Sequence, residues 1–299
     1  SAIKAGACMT SAKDNLRGIV LMLLAMATFA LGDVGIKLLS GAVPPGQIMG
    51  TMGIVGTLVF AIWTRSRGLA LLPRAIWHPA IALRFLAEIM AGVGMVLSLT
   101  LNPLSLVTAI LQAGPLVVTM GAAYVYREQV GPRRWLSIFV GLFGVLVILR
   151  PGFEGFSPQA LWIIVALMGL SIRDLATRAA PSSLDNLQVA TIGFFALVPT
   201  GALLIAFGQA PIWPTMGHTA ILSMAILATI VGYYAITAAM RVGEIASVTP
   251  FRYSRLVFGL ILGMIVFHER PDTLSYVGAA LILSAGLYSA WRERLHSKR

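Results

Sequence analysis

Ten apolar stretches follow one another along the chain, each close to the roughly 20 residues an α-helix needs to cross a bilayer core. They run approximately Gly18–Ser40, Gln47–Thr64, Pro79–Leu99, Pro103–Tyr126, Trp135–Arg150, Pro158–Thr177, Leu187–Phe207, Met216–Met240, Ile245–Phe267 and Leu274–Trp291. Of 299 residues, 58% are hydrophobic and only 11% are charged; a soluble domain carries about 25% charged residues. Mean hydropathy is +0.87. The alternating pattern of a membrane β-barrel is absent. The expected class is therefore all-α integral membrane protein with ten transmembrane helices. Gly92 and Gly94, and Gly141 and Gly144, are small enough to let neighbouring helices approach closely.

The net charge of +11 would suggest a nucleic-acid partner in a soluble chain. Here the basic residues sit in short connections, where they set topology instead. With the N-terminus inside, the inside segments hold sixteen Lys and Arg and the outside segments only Arg150 and Arg270. Both termini are thus expected in the cytoplasm, and no nucleic-acid partner is expected. Residues 1–14 read as an N-terminal tail, with Ser1–Cys8 a vector-derived remnant ahead of a native start at Met9. The single cysteine, Cys8, lies in that remnant, so neither a disulfide framework nor a cysteine metal site is expected.

The chain also repeats itself. Asp33 and Asp174 lie 141 positions apart, and the same offset takes Lys37 to Arg178, Gln47 to Gln188, Val107-Thr108 to Val248-Thr249 and Glu128 to Glu269. The unit contains five spans. Five is odd, so the second copy must cross the membrane upside down relative to the first. The units are residues 15–155 and 156–292, followed by a basic tail at 293–299. Inverted repeats of this kind are found in secondary transporters, with the substrate near mid-membrane between the halves.

Each unit ends in an apolar helix, a Glu-bearing turn and a Gly-containing helix. The stretches are Tyr124-Val-Tyr-Arg-Glu128 before Trp135–Leu149, and Ile265-Val-Phe-His-Glu269 before Tyr276–Leu287. In these features the chain resembles the EamA-type drug/metabolite transporter superfamily, from Asn15 onward. Within it, overall likeness is to the YddG-like exporters of aromatic and neutral amino acids. The resemblance implies a bacterial inner-membrane protein without a cofactor, exporting a small metabolite. The chain has no phosphate-binding loop sequence either.

Several polar groups lie inside the apolar spans, where charge is costly and marks candidate sites. Arg255, the counterpart of Gly114, is ten residues into span nine, roughly 15 Å at 1.5 Å per residue. It could clamp a substrate carboxylate, or lock two helices as an ion pair. Glu88 lies at similar depth in span three, one turn beyond a shallower, structural Arg84. It could bind an ammonium or carry a proton, or simply pair with Arg84 or Arg255. Asp33 with Lys37, and Asp174 with Arg178, end their helices either as ordinary charge complements to the dipole or as two latches, one for each side. Gly114 and Pro115 break span four and Pro250 opens span nine, which would expose carbonyls and place Gln112 at the cavity. Tyr253, Tyr233, Tyr234 and Trp162 are candidates for an aromatic wall. Glu128 and Glu269 read as helix-end charges.

These residues favour a secondary transporter for amino acids or related metabolites; another metabolite or an organic cation is the alternative. Glu88 or Asp33 could couple transport to protons, with facilitated diffusion as the other option. An intramembrane enzyme fits poorly. There is no His-Glu-x-x-His pair, and His78, His218, His268 and His296 all lie near span ends or in loops. The two membrane aspartates lie toward opposite sides. A channel would need a continuous polar stripe, and the polar residues are too scattered for one.

Overall fold

A computed structural model describes residues 12–127, 130–150, 157–242 and 248–297, with the side chains of residues 12, 241 and 292–297 also outside the description. Ser1–Cys8, the repeat position Glu128 and the expected start of span nine at Ile245 fall outside the described residues. In lipid, every backbone N–H and C=O must be satisfied within its own segment or by a protein neighbour. The apolar stretches accordingly form helices: α1 (Ala12–Leu38), α2 (Pro45–Ser66), α3 (Pro79–Leu101), α4 (Leu104–Leu111), α5 (Gly114–Val125), α6 (Pro132–Leu149), α7 (Leu161–Arg178), α8 (Asn186–Ala206), α9 (Met216–Val242), α10 (Ser254–Phe267) and α11 (Thr273–Ser297). Among the described residues they provide ten membrane-length spans and no strand.

Span four is two helices. The chain leaves α4 at Gln112 and restarts at Gly114, with Pro115 in the first turn of α5, where a missing N–H costs nothing. Span nine enters through a 3-10 turn, Thr249–Tyr253, which holds Pro250 near its start. The two interruptions therefore sit at different depths.

Helix adjacency shows the symmetry. The four most extensive helix pairs are α2 with α8, α1 with α9, α3 with α7 and α6 with α11, and α4 also packs on α10. Under the 141-residue offset α1 corresponds to α7 and α3 to α9, so those two pairs exchange; α2 with α8 and α6 with α11 each join a helix to its own counterpart, and α4 with α10 joins the counterpart spans four and nine. The pattern closes on itself as two inverted five-helix units must. Small residues let these pairs meet. A Cβ added at Gly201 would lie 2.4 Å from the Gly50 nitrogen, and one at Gly94 would lie 2.4 Å from the Ala166 nitrogen. Both obstacles are backbone, so neither side can give way. Outward faces are apolar, with Leu86, Ile62 and Phe139 more than half exposed, as suits contact with lipid.

The repeat also fixes the ends. Arg127 and His268 occupy equivalent positions and share a left-handed backbone, φ 54 and 53, that turns the chain back at the close of each broken span. Gln47 and Gln188 hold equivalent loops. Gln47 donates to the Ile212 carbonyl at 2.8 Å and accepts from its N–H at 3.0 Å. Gln188 donates to the Ala70 carbonyl at 2.7 Å and completes a capping box with Asp185. Asp272 caps α11. The Ser275 hydroxyl and the Arg150 guanidinium hold its carboxyl down to about 2.

Candidate functional site

One face of α1 carries Phe29, Asp33 and Lys37 at successive turns, and all three meet the second unit. Arg255 lies over the Phe29 ring at 5.5 Å, and its Nη2 and Nε donate to one Asp33 oxygen at 2.7 and 3.3 Å. Asp33 is buried and Arg255 is one-fifth exposed. A turn further along, the Lys37 ammonium stands 3.8 Å from Glu269, donates to the Asn102 carbonyl at 2.5 Å and lies 5.2 Å from the Phe267 ring. Glu269 in turn accepts from the Leu104 N–H at 2.6 Å, the Ser105 N–H at 2.9 Å and the Ser105 hydroxyl at 2.7 Å. It caps the N-terminus of α4 from the other unit, an arrangement favoured by the helix dipole. The sequence reading of Glu269 as a helix-end charge missed that the end belongs to a distant helix.

The opposite end carries the counterpart. Arg178 lies 6.0 Å from the ring of Tyr126, and the Tyr126 hydroxyl donates to the Leu175 carbonyl at 2.7 Å. Tyr126 and Phe267 are 141 positions apart, as are Lys37 and Arg178. The same cation-on-ring contact therefore joins the two units at both ends of the bundle.

Between these ends lies a charged cluster on α3 and α7. Arg84 Nη1 donates to the Thr177 hydroxyl at 3.0 Å and stands 3.6 Å from Glu88. Arg173 Nη1 approaches the other Glu88 oxygen at 3.5 Å, and its Nη2 and Nε donate to Asp174 at 2.8 and 3.0 Å. Tyr233 on α9 packs edge-to-face on Phe194 of α8, 5.9 Å between ring centres. Gly193 on α8 completes the surround; a Cβ there would lie 3.2 Å from Arg84 Nη2. Glu88, Arg173 and Asp174 keep 15%, 23% and 34% of their side-chain surface open. Charged groups that keep open surface within a bilayer are expected to face a polar crevice between helices rather than lipid.

The structure thus divides the sequence candidates. Arg255 is held by Asp33 and Glu88 by Arg84 and Arg173, so of the two pairings open to Glu88 in the sequence the one with Arg84 forms and the one with Arg255 does not. Asp33 and Lys37 do not pair with each other; each reaches its own partner on the second unit. Asp174 is bound by Arg173, which sequence reasoning had counted only as a topology charge. Gln112 is buried and donates to the Arg252 carbonyl at 3.2 Å, tying the break in span four to the 3-10 turn of span nine. Tyr253 is buried against Gly286 of α11, and the Trp162 carbonyl faces Gly94 of α3. Tyr234 is half exposed and meets Trp63 at 5.1 Å between ring centres. A small cleft lined by Ser105, Ala109, Leu260 and Tyr276, among others, carries no charged side chain.

Comparison with known proteins adds the lineage. The chain is 24% identical to an S-adenosylmethionine uptake transporter of Rickettsia prowazekii over 94% of this chain and 95% of that protein. It is 29% identical to a riboflavin transporter of Rhizobium johnstonii over 67% of each, and 22% identical to a pseudopaline exporter of Pseudomonas aeruginosa over 90% of this chain and 94% of the other. One solved crystal structure, 21% identical, superposes with a TM-score of 0.60 over 93% of this chain and 98% of its own, a likeness of fold. Residues 16–150 and again 157–290 match the EamA-like transporter family. With both five-helix units matched, the chain is a multi-pass membrane transporter and belongs to the EamA-like transporter family.

Proposed function

We propose that this transporter moves an amino acid, or a metabolite that carries an amino-acid group, across the bacterial inner membrane by alternating access, with both termini cytoplasmic. The observation that carries the alternating part is the repeated latch: Lys37 on Phe267 at one end and Arg178 on Tyr126 at the other. A two-fold-related pair of contacts between the same two units can be released one at a time, which is what alternating access requires. On the positive-inside orientation, the Lys37 end faces outward and the Arg178 end inward.

Support for the solute comes from the charges of both signs in the crevice and from the relatives. S-adenosylmethionine, the solute named for the relative matched over nearly its whole length, carries an ammonium and a carboxylate. The narrower reading, export of aromatic and neutral amino acids, suits the aromatic cluster of Phe60, Phe194 and Tyr233 beside the crevice. Riboflavin, named for another relative, is the alternative solute. Proteoliposomes containing the purified protein should exchange labelled L-phenylalanine or S-adenosylmethionine across the membrane. Exchange of riboflavin alone would overturn the amino-acid reading, and the response to an imposed pH gradient would separate proton coupling from facilitated diffusion.

A further inference from the structure

Three of the cluster's four charges have no equivalent in the other half of the molecule, where only Asp174 has a counterpart, Asp33. Under the repeat, Arg84 corresponds to Ala225, Glu88 to Thr229 and Arg173 to Gly32. There the positions are packed shut: a Cβ at Gly32 would lie 2.8 Å from the Thr229 hydroxyl. The symmetric scaffold therefore closes without these charges. On α3 and α7 the same level instead carries these three charges together with Asp174, with Gly193 leaving room beside Arg84.

The charges satisfy one another only in part. Arg84 is 5% exposed at its side chain, yet its Nε has no hydrogen-bond partner; neither does Glu88 Oε2. A buried donor and a buried acceptor left unmade each cost free energy, which a bound ligand recovers. An unpartnered guanidinium N–H calls for an anionic oxygen, and a carboxylate oxygen held only by an ion pair at 3.6 Å for a cationic N–H.

From this geometry we infer that the cluster of Arg84, Glu88, Arg173 and Asp174 is the binding site for the head group of an α-amino acid, with the guanidiniums taking the carboxylate and the acids taking the ammonium. Tyr233 packs on Phe194, the residue after Gly193, and the solute's side chain would extend toward it. Glu88 sits nine residues beyond the start of α3, about 14 Å in at 1.5 Å per residue, close to mid-membrane. The site rests on the amino-acid reading above but replaces Arg255 as the carboxylate-binding group, since Arg255 spends Nε and Nη2 on Asp33 whereas Arg84 keeps its Nε unpartnered.

The test is exchange of labelled L-phenylalanine and S-adenosylmethionine in proteoliposomes of the full chain. In wild type, phenethylamine and 3-phenylpropionate, which each keep one charge of phenylalanine, should fail to compete at ten times its KM. Glu88→Gln and Arg173→Gln should each raise KM at least about tenfold while eluting as the wild type does on gel filtration. Exchange by wild type with unchanged KM in folded variants would overturn the site and leave the functional reading standing. Equal competition by either single-charge analogue would also overturn it, and that arm decides even where a variant does not purify. No exchange of either zwitterion by wild type would overturn both.

Discussion

Asp33→Ala is expected to destabilise the protein by about 3 kcal/mol, the lower part of the range for removing one member of a buried ion pair. The lower part applies because Arg255 keeps 20% of its side-chain surface open. The loss comes from the Arg255 guanidinium, whose Nε and Nη2 both lean on one Asp33 oxygen. With that oxygen gone, the charge is left with the face of Phe29, a contact of roughly 1–2 kcal/mol. Arg255→Ala should cost a similar amount through a stranded carboxylate. The double replacement Asp33→Asn with Arg255→Gln should recover most of it, since neutral partners of similar shape need little desolvation. Thermal unfolding in detergent of Asp33→Ala, Arg255→Ala and the double alanine variant, read as a double-mutant cycle, measures the coupling. Additive losses would show that the pair does not act as a unit.

Glu269→Ala should cost about 3 kcal/mol, combining loss of a helix cap with two backbone N–H groups left unpaired. The helix it caps, α4, has only eight residues before the break at Gln112. So short a helix has little stability of its own and depends on its ends and packing. Glu269 also supplies the anion opposite Lys37. Its removal therefore loosens the Lys37 end twice, at α4 and at α1. Glu269→Gln keeps an acceptor oxygen but no charge and should fall between wild type and alanine. Amide hydrogen exchange at Leu104 and Ser105 would locate the change, and unaltered protection there in the alanine variant would contradict the capping role.

Much of the scaffold was legible in the sequence because lipid leaves few choices. Apolar runs of spanning length must be helices, and an odd repeat must invert. The offset of 141 was informative residue by residue: Gln47 and Gln188 proved to be matching loop anchors, and Lys37 and Arg178 matching cations on rings. Partners across the bundle were not legible. Spacing along a helix shows that Arg84 and Glu88 share a face, and they do meet at 3.6 Å. It says nothing of Arg173, which reaches Glu88 from another unit, or of Asp33, which turns from Lys37 to Arg255. Depth alone placed Arg255 beside Glu88, because both lie near mid-span; the helices that carry them face different neighbours. The signal that could have singled out Arg173 was its repeat partner. An arginine standing where the other copy has Gly32 is a departure from symmetry that the fold does not need.

The most direct test of alternating release uses spin labels on a chain with Cys8→Ser. One pair at Leu38 and Arg270 spans the Lys37 end, and one at His78 and Ala179 spans the Arg178 end; all four positions are exposed. Distances are measured in lipid nanodiscs for the parent, Lys37→Ala and Arg178→Ala. The account predicts that Lys37→Ala lengthens the first distance and leaves the second short, while Arg178→Ala does the reverse. Both variants opening the same end, or both ends together, would contradict it.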